Sequence, residues 1–143
     1  MPTHTLEEIL HPQSIAVVGA SSNPGASGYN FTYHLLEYGF KGKIYPVNPR
    51  SPEILGMKAY PSIREIPGPV DYVISAVPAS AVLNMLDDCS QKGVKCIHLF
   101  TGRFGETGRP ELAELEQEIL KQARKSDIRL IGPNCMGLYH PRE

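Results

Sequence analysis

Short apolar runs alternate with longer amphipathic stretches along almost the whole chain, and few folds can satisfy that order. Ile15 to Val18, Lys43 to Val47, Asp71 to Val77, Val94 to Phe100 and Arg129 to Gly132 each have strand length and end at Gly, Pro, Asn or Ser clusters. The stretches between them carry helical periodicity. From Gly28 to Gly39, residues Phe31, Leu35 and Tyr38 recur near helical spacing. Ser80 can cap a helix with an apolar face of Val82, Met85, Leu86 and Cys89, and Gly93 stands where a closing glycine belongs. A helix from Pro110 to Ser126 buries Leu112, Leu115, Ile119 and Ala123, with its acids first and its bases last, the order a helix dipole favours. Thr5 to Glu8 forms a capping box opening a short helix that His11 and Pro12 stop, whereas Ile54 to Ile66 fits neither period.

Five strands joined by helical crossovers predict an α/β fold: a Rossmann-like, doubly wound, mostly parallel five-stranded sheet with helices on both faces, forming one domain over residues 1–143. A chain of this length buries roughly 68–70% of its unfolded surface, so it needs no staples. Cys89, Cys96 and Cys135, at spacings of 7 and 39, fit neither a paired secreted framework nor a Cys-x-x-Cys metal or redox site. With 14 basic and 15 acidic residues scattered along the chain and a formal net charge of −1, there is no electrostatic footprint for nucleic acid or anionic lipid. Glu7 and Glu8 fall where a signal peptide would need an apolar run, and no stretch reaches the ~20 apolar residues of a membrane span. A soluble, cytoplasmic protein that binds neither nucleic acid nor membrane is expected.

Open parallel sheets bind ligands beyond the carboxyl ends of their strands, so the informative residues follow each strand. After the first come Gly19, Ala20, Ser21, Ser22 and Asn23, a small-residue loop before a helix N-terminus, with hydroxyls at Ser21, Ser22 and Ser27. Small residues let a backbone approach a diphosphate, and the helix terminus favours the negative charge. The loop is not the Gly-x-Gly-x-x-Gly fingerprint, because Ser21 and Pro24 occupy the second and third glycine positions and the next glycines are Gly25 and Gly28. The second strand ends in Asn48, Pro49 and Arg50, with no acid to hold a ribose diol; an arginine there invites a ribose phosphate. NADP and coenzyme A both carry one, and spacing does not separate them.

The motifs together resemble the CoA-binding domain of the succinyl-CoA synthetase superfamily, most closely the N-terminal domain of NDP-forming acyl-CoA synthetases such as ADP-forming acetyl-CoA synthetase. The resemblance covers nearly the whole chain and rests on residues 11–21, 42–49, 77–79, 105–108 and 131–137. It implies that Gly19 to Asn23 hold the diphosphate of coenzyme A and that the segment after Asn48 and Pro49, with Arg50, meets the 3′-phosphate and ribose. It also implies that Val77, Pro78, Ala79, Thr101 and Gly102 flank the nucleotide and pantetheine. Arg103 departs from the pattern, standing where the family usually has glycine before the phenylalanine matched by Phe104.

Synthetases of this kind relay phosphate through a histidine in a following domain and handle the triphosphate in an ATP-grasp domain or subunit. None of His4, His11, His34, His98 or His140 lies in a segment resembling the relay, so no catalytic residue is assigned, and Cys135 is read as small packing. The expected role is binding coenzyme A or acyl-CoA, either as the domain of such a synthetase or as a stand-alone relative, with catalysis residing in the phosphohistidine and ATP-grasp partners. An NADP-binding oxidoreductase domain and a CoA-sensing regulatory module of another enzyme are the alternatives.

Overall fold

The computed structural model describes residues 3–141. Met1, Pro2, Arg142 and Glu143, part of the expected 1–143 domain, lie outside the described residues. The capping box at the N-terminus forms as the sequence implies: Thr5 N–H donates to Glu8 Oε2 at 2.7 Å and Glu8 N–H to Thr5 Oγ1 at 3.3 Å, opening α1 (Leu6–Leu10). Then follow β1 (Ser14–Val18), α2 (Ser27–Glu37) and β2 (Lys43–Val47). β5 (Tyr72–Ser75), α3 (Val82–Lys92), β6 (Cys96–Leu99), α4 (Pro110–Lys125) and β7 (Arg129–Ile131) complete the main frame. Between β2 and β5, the segment without a clear period forms a hairpin of β3 (Glu53–Ile54) and β4 (Met57–Lys58), then a short 3₁₀ turn over Ile63–Glu65. Its turn residues, Leu55 at φ 51° and Gly56 at φ 78°, both take the left-handed conformation that a two-residue hairpin demands.

The five main strands are parallel, in the order β2-β1-β5-β6-β7. The register brings the carboxyl ends level: Val18 lies beside Val47 and Ser75, and Ser75 beside Leu99. Alternating side chains feed two cores. Ala16, Val18, Val73, Ile97 and Leu99 pack against Val82, Leu86 and Cys89 of α3 and Ile119 and Ala123 of α4. Ile15, Val17, Tyr72, Ile74 and Cys96 pack on the other face with Ile9 of α1 and Phe31 and Leu35 of α2. Burial on both faces is why these strands read as continuous apolar runs rather than as alternating ones. Because the crossover from β1 and the crossover from β5 leave on opposite faces, the topology reverses between these neighbours and opens a crevice at their carboxyl ends.

Three local expectations change. On α4 only Ile119 and Ala123 are buried; Leu115 is half-buried against the core, and Leu112 is half-buried outside it. Ser80 caps nothing: Ala79–Ala81 form a 3₁₀ turn, Ala81 takes the N-cap of α3 without a side-chain hydrogen bond, and Ser80 is exposed on that turn. Tyr38 belongs to no buried face, being 79% exposed where α2 ends, while the buried positions of α2 are Gly28 and Thr32. Gly93 closes α3 in the left-handed conformation, φ 74°. No helix among the described residues is long and apolar enough to cross a membrane.

Candidate functional site

At the end of β1 the chain turns through Gly19, at φ 89°, where a Cβ would lie 2.7 Å from the Ala76 carbonyl oxygen. Both Gly19 N–H and Ala20 N–H donate to the Val47 carbonyl, at 3.1 and 3.2 Å, and Ala20 is fully buried. Gly28, in the first turn of α2, is pressed onto this corner so closely that a Cβ would sit 1.8 Å from the Gly19 carbonyl oxygen. Close helix-to-strand packing is the task of the third glycine in a dinucleotide fingerprint. Here a glycine nine positions after the first performs it, so the loop between them is longer and the short fingerprint is absent from the sequence.

Within that loop Ser21 Oγ accepts from Asn23 N–H at 3.0 Å, and Asn23 Oδ1 accepts from Gly25 N–H at 3.0 Å. Ser22 and Asn23 are exposed, and Ser27 proves to be the first residue of α2 rather than part of the loop. Ala26 takes the N-cap position and offers no side-chain acceptor. The first-turn N–H groups of this 11-residue helix therefore lack the side-chain cap that serine, threonine or aspartate would supply, an arrangement suited to an anion.

The neighbouring loops are tied to this one. Asn48 Nδ2 donates to the Ala20 carbonyl at 2.9 Å, and Asn48 Oδ1 accepts from Arg50 N–H at 2.8 Å, so Asn48 fixes the turn from which Arg50 projects. Pro49 and Arg50 are exposed, and the Arg50 guanidinium has no hydrogen bond or ion pair among the described residues. Beyond β5, Val77 and Ala79 are half-buried and Pro78 exposed, forming the next part of the rim. Thr101, after β6, is buried: its hydroxyl donates to the Val77 carbonyl at 2.7 Å and lies 3.0 Å from Ser75 Oγ. That hydroxyl is spent on the protein, so Thr101 shapes the crevice wall through its place rather than through a free donor. Gly102 passes close to Asn134, whose side chain would be 3.3 Å from a Cβ there. The structure thus brings the segments after β1, β2, β5 and β6 to one rim, with Asn134, beyond β7, beside Gly102.

Arg103 holds φ 68°, the left-handed region that favours glycine, which explains why glycine is the usual residue in the pattern the sequence resembles. Its N–H and that of Phe104 donate to the Glu106 carboxylate; together with the bond from Glu106's own N–H, they hold the carboxyl below the ordinary range. No group of three or more His, Cys, Asp or Glu among the described residues is placed to hold a metal ion. His4, His11, His34 and His140 stand away from the rim, and Cys135, half-buried, has its thiol 3.6 Å from the Gly137 carbonyl.

His98, only 2% exposed, bonds through Nε2 to the Cys135 carbonyl and pins the C-terminal segment beneath the rim. Burial lowers its pKa from the ordinary value of 6.5, more than the Cys135 bond raises it. The sign follows: unfolded His98 takes a proton near pH 6.5 and the folded residue resists it, so its contribution is full above about pH 6.5 and is lost as pH falls below that value. Urea unfolding at pH 7.5 and 5.5 should show a loss of stability, at most about 1.4 kcal/mol per pH unit from this one group, that His98→Gln lacks. An equal loss in both proteins would mean that His98 is not its source.

One feature of this face has no counterpart in the strand and helix pattern: a groove of about 720 Å³ beside α2, beginning at Ser27 and Phe100.

A family model described as CoA binding domain matches residues 13–141. The chain is 43% identical over 140 residues to the alpha subunit of the ADP-forming acetate–CoA ligase I of Pyrococcus furiosus, covering 95% of this chain and 30% of that one. Among solved structures, the dinucleotide-forming acetyl-coenzyme A synthetase 1 of Ca. Korarchaeum cryptofilum, in complex with phosphate and ADP, superimposes with a TM-score of 0.88 at 43% identity, over 94% of this chain and 29% of that one. A hypothetical protein from Pyrococcus horikoshii matches with a TM-score of 0.73 at 28% identity, over 92% of this chain and 83% of that one. The chain therefore spans about 30% of the ligase subunit and most of a shorter relative.

Proposed function

The chain belongs to the CoA-binding domain family, and from that premise we propose that it holds coenzyme A or an acyl-CoA across the carboxyl ends of its parallel strands. It resembles the corresponding domain in the alpha part of NDP-forming acyl-CoA synthetases. The observation that carries the binding reading is the uncapped N-terminus of α2, fastened by Gly28 to the Gly19 corner behind a loop of small residues. A diphosphate lies there; the adenosine ribose lies toward Arg50 at the end of β2. The pantetheine crosses the rim made by Val77, Pro78, Ala79, Thr101 and Gly102, and the thiol leaves toward the end of β7.

The ligase subunit and the synthetase that match are larger proteins, of which this chain spans about 30%, and on that ground the chemistry of ligation is proposed to belong to partners: an ATP-grasp domain or subunit for the triphosphate and a phosphohistidine domain for the relay. The cytoplasm, where coenzyme A and acyl-CoA are exchanged, is the proposed location.

Thermal unfolding with coenzyme A, acetyl-CoA, NAD, NADP and ATP in turn tests the binding. A ligand at 100 times its dissociation constant adds about 2.7 kcal/mol, which for a domain of this size raises Tm by roughly 10 °C. The two CoA species should produce the largest rises. A rise with NADP and none with coenzyme A would instead favour an oxidoreductase domain, because Arg50 would suit a 2′-phosphate equally well.

A further inference from the structure

The groove beside α2 adjoins the rim. Phe31 and Leu35 form its α2 wall, Ile74 and Phe100 line it from the sheet, and Met136 and His140 of the C-terminal segment bound its outer side. Phe31 meets Phe100 edge-on at 5.2 Å. The volume, about 720 Å³, lies within the range of small-molecule sites, roughly 300–1,000 Å³, and no carboxylate lines it among the described residues. His140 packs edge-on against His11 at 5.2 Å, and both line the groove. A helix, about 10 Å across with its side chains, needs an unobstructed trough, and this contact bridges the outer side at one point. A narrow chain fits better than a polypeptide element.

The mouth lies where a CoA thioester would place its acyl group. Ser27 begins α2 and so adjoins the anion-binding turn, Phe100 directly follows β6, and Met136 directly follows Cys135 beyond β7. A ligand whose diphosphate sits at the α2 N-terminus and whose arm runs over β5 and β6 toward β7 ends beside Phe100 and Met136. Alongside the 11 residues of α2 the groove then extends about 16 Å.

We propose that this groove receives the acyl chain of an acyl-CoA, so that the domain grips medium-chain alkyl acyl-CoA more tightly than free coenzyme A. The inference rests on the strand ends being the CoA site. Free coenzyme A leaves the aromatic walls in water, whereas an acyl chain removes them and its own methylenes from it. The thioether of Met136 adapts to the shape of the chain.

Titration calorimetry with coenzyme A, acetyl-CoA and octanoyl-CoA, on the parent chain and on His34→Trp, tests it. His34 is exposed, lines the groove and lies about two turns beyond the start of α2, so tryptophan fills the groove without entering the CoA site. The parent should bind octanoyl-CoA at least tenfold more tightly than coenzyme A, and His34→Trp should abolish that advantage while binding coenzyme A as before. With methyl-labelled methionine, the Met136 signal should move with octanoyl-CoA and not with coenzyme A, whereas Met85, buried against α3's side of the sheet, should not move. Equal affinity for coenzyme A and octanoyl-CoA overturns the groove assignment and leaves the CoA site standing. An advantage that survives His34→Trp, or a Met136 signal that does not move, also overturns the groove assignment alone. Absence of binding by every CoA species overturns both readings.

Discussion

Gly28→Ala is expected to destabilise the domain by about 3 kcal/mol, at the upper end of what overpacking costs, and to weaken coenzyme A binding at least tenfold. Alanine is the better helix former, by roughly 0.8–1.0 kcal/mol, but that gain is small beside the contact it creates. Its Cβ would lie 1.8 Å from the Gly19 carbonyl oxygen and 2.6 Å from the carbonyl carbon, both backbone atoms with no rotamer to move. Gly19 cannot retreat, because its N–H is bonded to the Val47 carbonyl and it abuts Ala76. The first turn of α2 must therefore back away from the loop and carry its N–H groups away from the proposed diphosphate site. Gly25→Ala is the control, since its nearest neighbour would be Asn23 Oδ1 at an ordinary 3.5 Å. Urea unfolding and calorimetry on both variants decide the matter; a Gly28→Ala protein as stable as the Gly25→Ala one would show that α2 is not locked to the Gly19 corner.

Arg50→Ala should weaken coenzyme A binding by roughly 10- to 100-fold while hardly changing the affinity for 3′-dephospho-CoA. The guanidinium projects from a turn that Asn48 fixes through its bond to Arg50 N–H, and it has no protein partner among the described residues to give up on binding. A guanidinium can grip a phosphate through two parallel hydrogen bonds, and a hydrogen bond to a charged group contributes about 1.5–3 kcal/mol. The four combinations of protein and ligand form a cycle that separates this contact from damage to the loop, which would weaken both ligands alike. Equal losses for the two ligands would make Arg50 a surface charge.

The frame of the site was legible because period and punctuation are local properties. Parallel strands buried on both faces produce apolar runs, as at Ile15 to Val18, and the loops after them carry the small or turn-forming residues that mark a strand's end. The hairpin between β2 and β5 was hidden for a local reason as well: Leu55 takes the left-handed conformation at a position where asparagine or aspartate usually signals the turn. Ser80 misled because a residue able to cap is not obliged to, and the preceding 3₁₀ turn placed Ala81 at the helix start instead.

By itself the sequence determined the number and order of the main strands, the helices between them, and the segments that reach their carboxyl ends, since each depends on the dihedral preferences and polarity of neighbouring residues. Tertiary structure alone decided that Gly28 performs the close-packing task for Gly19 across nine positions, that Thr101 gives its hydroxyl to Val77, and that His98 holds Cys135. It also decided that α2, the sheet and the C-terminal segment leave a groove between them. These outcomes join residues far apart in the chain, and packing and hydrogen-bond allocation depend on distances between segments, which no local pattern of residues contains.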